Sequence, residues 1–173
     1  KMKKIIFLLS AVAFIISCQN QKLDSPDNHE MSGIIKGEDQ YTKGIKKFMK
    51  AYVDNDMASA KDIFANDADF YINDTKLTID DMIAGFSVGH QFFNNISHNK
   101  VDMATMYYNN ESIDTNVWYD WSGEIKSSSE KLNLKWYGWF KWADGKVVEA
   151  YNAFDPTAYN AAMDLQVRSE EHT

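Results

Sequence analysis

Proton-transfer chemistry needs a carboxylate or imidazole held among apolar groups, where burial tunes its acidity toward neutrality. Two residues of this chain have such company. Asp120 stands inside the run Val117-Trp118-Tyr119-Asp120-Trp121, and His90 lies one helical turn beyond Phe86 and close to Phe93. Either is a candidate general base. His98 comes after the segment that carries His90 and reads as a surface residue, while His29 and His172 fall in polar ends. No spacing of His, Cys, Asp and Glu suggests a metal site, and Asp67, Asp69, Asn73 and Asp74 lack the register of a calcium loop. Glycine-rich phosphate loops and serine nucleophile elbows are absent from the sequence, so no cofactor is expected.

The elements that must position these residues centre on Val117–Trp142, which holds all five tryptophans. Side chains alternate across a strand, so parity assigns the faces. Leu132, Leu134, Trp136, Gly138, Phe140 and Trp142 form an apolar set, against Asn133, Lys135, Tyr137, Trp139 and Lys141. On the preceding strand Val117, Tyr119, Trp121 and Gly123 form the more apolar face. Asp120 then falls on the other face, and only a bulge would turn it inward. Trp118, Tyr137 and Trp139 face outward, as aromatics at an oligomer interface do, and predict a homodimer through the sheet face.

Upstream, Tyr41, Ile45, Phe48, Met49, Tyr52 and Val53 recur at steps of three and four, an amphipathic helix over residues 38–56. Residues 58–66 form a second short helix, and Asp69–Leu77 a bent strand or hairpin turning at Asn73-Asp74. Thr78 and Asp81 form a capping box for a third helix that runs to about Asn94. After Asn99 the pattern becomes strands: one through Val101–Tyr107, then Ile113–Ile125, Leu132–Trp142 and Lys146–Phe154. Turns fall at Asn109-Asn110 and Asp144-Gly145. Asp155-Pro156 stops the last strand and opens a final helix. This order predicts an α+β domain, a curved antiparallel sheet wrapped on the N-terminal helices into a cone-shaped barrel.

The opening helix pair, the capped third helix and the closing strand Asp144-Gly145-Lys146-Val147-Val148-Glu149-Ala150-Tyr151-Asn152-Ala153-Phe154-Asp155 resemble the SnoaL-like branch of the nuclear transport factor 2-like superfamily, over residues 38–167. The resemblance implies a pocket inside the cone. It also implies that tyrosines such as Tyr107, Tyr119 and Tyr151 can donate a phenolic hydrogen bond to a ligand carbonyl. Many SnoaL-like sequences carry histidine-tryptophan-aspartate on the closing strand; Ala150, Tyr151 and Asn152 stand there instead. Asn152 can hydrogen-bond a ligand but cannot move a proton at ordinary pH. Two functions are therefore expected. In the first, the cone binds a small apolar or aromatic molecule without catalysis, using Tyr107, Tyr119, Trp121, Trp136, Phe140 and Asn152. The alternative is an isomerase, cyclase or dehydratase of SnoaL or ketosteroid-isomerase type, with His90 or Asp120 as base.

Lys1-Met2-Lys3-Lys4 followed by the apolar run Ile5–Ile16 fits a signal peptide and is too short for a comfortable membrane span. Its end, Ile15-Ile16-Ser17-Cys18, resembles a bacterial lipobox. That resemblance implies residues 1–17 as a cleaved leader and Cys18 as the lipidated membrane anchor; by composition, residues 18–37 read as a polar tether and 168–173 as a polar tail. The address is the cell envelope, and the outer membrane if the host is Gram-negative. Without Lys1, Lys3 and Lys4 the balance is 15 basic to 25 acidic residues, so nucleic acid is not an expected partner. In a bacterial host, wild-type chain is expected to take up labelled fatty acid and Cys18→Ala to take up none; equal labelling refutes the anchor.

Overall fold

The structure is a computed structural model and describes residues 28–170; the leader, Cys18 and the first part of the tether lie outside the described residues. Strand β1 (Gly33–Lys36) is followed by α1 (Gln40–Val53), a 3-10 turn (Met57–Ile63), β2 (Phe64–Ile72), β3 (Thr75–Leu77) and α2 (Ile79–Phe92). Then come β4 (Phe93–Tyr108), β5 (Ile113–Ile125), β6 (Lys131–Ala143), β7 (Lys146–Phe154) and α3 (Thr157–Glu170). The strands form one sheet in the order β1-β4-β5-β6-β7-β2-β3. It is α+β as expected, but mixed and open rather than purely antiparallel, because β2 runs parallel to β7.

The helices begin where their caps dictate. Asp39 accepts hydrogen bonds from Tyr41 N and Thr42 N, and the Thr42 hydroxyl receives one from Asp39 N, a full capping box. Ile45, Phe48 and Met49 turn the buried face of α1 toward the sheet. Phe48 sits at the centre, with ring centroids of Phe64, Phe70, Phe86 and Phe140 between 5.5 and 6.4 Å away. Thr78 caps α2 by accepting from Asp81 N at 3.1 Å. A second apolar cluster closes one end of the cone, where Ala162 of α3 packs with Phe93, Ile96 and Trp121.

Two expectations are corrected. Residues 33–36, expected within the tether, form β1 and pair with Tyr108–Thr105 of β4, although all four are exposed. The strand expected only after Asn99 begins at Phe93. It carries two bulges, between Asn94 and Ser97 and between Asn99 and Asp102. Asn95 and Lys100 sit there in the left-handed region, at φ 52° and 49°. Each bulge adds one residue and reverses the alternation. Phe93 faces inward, then Ile96 and His98, then Met103, Thr105 and Tyr107.

The Asp39 carboxylate also accepts from Tyr107 Oη at 2.7 Å and Thr105 Oγ1 at 3.1 Å, tying the start of α1 to β4. Burial alone would raise its pKa, but these bonds and the one from Thr42 N hold it below the ordinary value. Asp39→Ala is expected to cost about 2 kcal/mol in urea denaturation, the size of a lost cap plus hydrogen bonds to a charged group. Tyr107→Phe should cost less, and less still in the Asp39→Ala background.

Candidate active site

The interior of the cone holds a cavity of about 20 Å³, the size of a water molecule. Phe48, Met49 and Tyr52 of α1 and Phe86 of α2 form one side; His98, Tyr119, Trp121, Trp136 and Asn152 of the sheet form the other. The Asn95 bulge delivers His98 here by setting it opposite Trp121 on the inward face. Its ring lies flat on Tyr52, with centroids 5.5 Å apart at 8°, and meets Tyr119 edge-on at 4.5 Å.

Two buried polar atoms in this cavity have no hydrogen-bond partner, His98 Nε2 and Asn152 Nδ2. The amide orientation of Asn152 is fixed by chemistry: Trp136 Nε1–H, a pure donor, bonds its Oδ1 at 3.1 Å, which leaves the NH2 group without a partner. Burial pushes the His98 imidazole down from 6.5 to about 4. The same desolvation drives the Tyr119 phenol well above its usual value, so it stays protonated. Tyr52 Oη accepts from Trp121 Nε1 at 3.0 Å and is paired with the hydroxyl of Tyr159, which fixes the base of the cavity against α3. The site thus contains a neutral proton acceptor and two neutral donors, all uncharged.

Of the residues expected from sequence, Tyr119, Trp121, Trp136 and Asn152 meet in this cavity. Five others do not reach it, among them Tyr151, whose ring neighbours that of Tyr71. His90 Nε2 donates to the backbone carbonyl of Tyr52 at 2.7 Å, so this ring secures the end of α1. Asp120 lies on the outer face, ion-paired with Lys135 and, at 3.4 Å, with Lys100. The Lys135 hydrogen bond holds its carboxyl below the ordinary value. Tyr107 is bound to Asp39, and Phe140 is packed beside Phe48 in the main core. Among the outward aromatics Trp118 is 47% exposed, whereas Tyr137 bonds Asn116 and Trp139 bonds Asp114. Neither His98, expected at the surface, nor Tyr52 and Phe86, expected as core, was expected to line the cavity. The signal for His98 was Asn94-Asn95, since asparagine tolerates the left-handed conformation a bulge requires.

The described residues contain no cluster of His, Cys, Asp and Glu able to hold a metal ion. No protein-family model matches the chain, and no curated protein matches its sequence. Solved structures do resemble it. A candidate polyketide cyclase from Xanthomonas campestris pv. campestris superposes with TM-score 0.60 at 9% identity, covering 73% of this chain and 98% of that one. A candidate isomerase from Bacillus subtilis gives 0.57 at 12%, covering 73% and 96%. A candidate SnoaL-like polyketide cyclase from Shewanella putrefaciens gives 0.53 at 15%, covering 74% and 98%. At such identities the likeness is one of fold. The chain has the single-domain α+β fold of the SnoaL-like and nuclear transport factor 2-like proteins.

The buried imidazole has a signature in stability. The groups facing it are Tyr52 and Tyr119, with Lys46, Lys50 and Asp54 across the adjoining cleft. Its folded value lies below its unfolded one, so between pH 6.5 and about 4 the unfolded chain takes up a proton that the fold refuses. Stability is therefore lost as pH falls through that window. Urea denaturation at pH 7 and pH 4.5 should show a drop roughly 2 kcal/mol larger in wild type than in His98→Gln. Equal drops would mean that the imidazole is solvated.

Proposed function

We propose that the cone admits a small, largely apolar carbonyl compound and moves a proton on it, in an isomerase- or cyclase-type reaction with His98 as the general base. The observation that carries this reading is the pair of unpartnered polar atoms, His98 Nε2 and Asn152 Nδ2, on one apolar cavity. Leaving a polar atom buried and unpaired costs about 1–3 kcal/mol. In this proposal the two atoms are the groups that a substrate completes. The resemblance to a candidate cyclase and a candidate isomerase supports the same class. Asn152 cannot supply the base, and by itself that substitution favours a binding domain. His98 supplies what Asn152 lacks.

In this mechanism neutral His98 Nε2 takes a proton from the carbon beside the carbonyl. The electron pair of that C–H bond moves into the enolate, whose oxygen accepts from Asn152 Nδ2–H and the phenol of Tyr119. The imidazolium then returns the proton to another carbon, which completes an isomerisation. In a cyclisation the enolate carbon instead attacks a second carbonyl of the same molecule, and the imidazolium protonates the new alkoxide. A base with a pKa of about 4 is weak, and the developing enolate charge strengthens it at the moment of transfer. At about 20 Å³ the cavity must widen to take such a compound. The lipid anchor at Cys18 and a homodimer through the face bearing Trp118, Tyr137 and Trp139 belong to the same proposal, the first resting on residues 15–18 and the second on the exposed Trp118.

Exchange of the α-protons of small aryl ketones such as 2-tetralone into heavy water, followed by NMR, tests the chemistry. Wild type is expected to accelerate exchange. His98→Gln should lower the rate about 100-fold or more and Asn152→Leu about 10- to 100-fold. Asp120→Asn should leave it unchanged. Full exchange in His98→Gln would remove the proposed base.

A further inference from the structure

The cone has two approaches, and they differ in how they are closed. At one end α3 fills the opening: Tyr159 packs on Phe93 at 4.8 Å and on Trp121 at 5.6 Å, and Ala162 is 3% exposed. The paired hydroxyls of Tyr159 and Tyr52 fasten this plug, and Gly89 makes room for it, since a Cβ there would sit 2.4 Å from Tyr159 Oη. On the flank, between α1 and β4, lies an open cleft of about 520 Å³. Met49 and His98 line both this cleft and the inner cavity. His98 is half-buried, with Nε2 at its buried end. Two side chains, the flexible thioether of Met49 and the ring of His98, are therefore shared by the outer and the inner space.

The rim of the cleft carries its own chemistry. Lys46 and Lys50 project from α1, and Lys50 is ion-paired with Asp54 one turn on. Lys46 has no ion pair among the described residues. The β4 side contributes Ser97, Val101 and Met103 without charge. The cleft thus keeps one uncompensated cation in a chain of formal charge −7.

We infer that the ligand reaches the cavity through this α1–β4 cleft, past Met49 and His98, and that it is an aromatic or apolar compound bearing an anionic group, which stays in the cleft on Lys46. The inference rests on the reading that the inner cavity receives a ligand, and it adds the route and the ligand's charge. The apolar part has the shape of the inner wall to meet, with Tyr52, Phe86 and Trp136 around it. A carboxylate or sulfonate cannot follow, because that wall offers no cation. It remains in water beside Lys46, which orients the reacting end toward His98 Nε2.

Two probes with one aromatic skeleton separate the parts of this inference: neutral N-phenyl-1-naphthylamine and its sulfonate, 8-anilinonaphthalene-1-sulfonate. With the full chain, binding is followed by fluorescence and located by the His98 imidazole resonance, assigned from His98→Gln. The sulfonate is expected to bind roughly three- to tenfold more tightly than the neutral probe, the size of one exposed charge contact, and less so in high salt. Lys46→Gln should erase that preference and leave the neutral probe unchanged. Val101→Trp, at an exposed position on the cleft, should slow association of both about tenfold, and Met49→Phe should do the same. Tyr159→Phe, which loosens only the α3 plug, should not change the rate. No shift of the His98 resonance, a preference that survives Lys46→Gln, or faster association in Tyr159→Phe with none slowed in Val101→Trp would each overturn the inference. Probe binding as described without ketone exchange would remove the catalytic reading and leave this one standing; exchange of the neutral ketone that is not slowed in either Val101→Trp or Met49→Phe would do the reverse.

Discussion

A strand of sixteen residues cannot remain straight while curling over a single helix, and β4 solves this by bending twice. Each bend is a bulge with one residue in the left-handed region, Asn95 and then Lys100. The bends coil the sheet around α1, and each also reverses which side chains face inward. Between the bends, Ile96 and His98 are the inward residues, so the segment that carries the imidazole into the cone exists only because of the bulges. Without the first one, Ser97 and Asn99 would point at Tyr52 and Tyr119. With it, Ser97 and Asn99 instead form a hydrogen-bonded group with Ser122 on the opposite face. Curvature and site are consequences of the same two backbone distortions.

The polar atoms of the cavity are held in place by partners that use only half of each group. Asn152 spends its carbonyl oxygen on Trp136 Nε1 and keeps its NH2 free. Tyr52 receives Trp121 Nε1 and offers its ring face to His98. A group fixed in this manner needs no reorganisation when a ligand arrives, the condition under which hydrogen bonds in a dry site act most strongly. The cost is borne by the surrounding core. Phe48 with its ring of four phenylalanines, and the second cluster around Trp121, supply apolar burial at roughly 25 cal/mol per Å², ample to carry two unsatisfied atoms.

Much of this architecture could be read from the chain. Ile113–Ile125 and Lys146–Phe154 end at turn residues, and both strands begin and stop where those turn signals place them. Parity also assigned Asp120 to the outer face, where Lys135 and Lys100 hold it. What was not legible has physical causes. β1 is exposed along its whole length and is held by backbone hydrogen bonds to β4, which leave no hydrophobic pattern to detect. The pairing of β2 with β7 joins segments far apart in sequence, and no local signal encodes it. His98 was obscured because Phe93–Asn99 is read as polar and aperiodic when its extra residue is not subtracted. Once Asn95 is removed from the count, Phe93, Ile96 and His98 fall on one face.

The distribution of charge follows from the same division of faces. On the outside, acids and bases neutralise one another in pairs: Asp120 with two lysines, Asp69 with Lys76, Asp80 with Lys61. Inside, the ionisable groups at the cavity are driven to their neutral forms, the imidazole downward and the phenols upward. An ionised group on that wall would forfeit hydration and find no counter-charge, and desolvation alone accounts for the direction of each shift. A cavity of this kind is at rest when uncharged. It can separate charge only between a donor and an acceptor that the fold leaves unpaired, and His98 Nε2 and the NH2 of Asn152 are such groups.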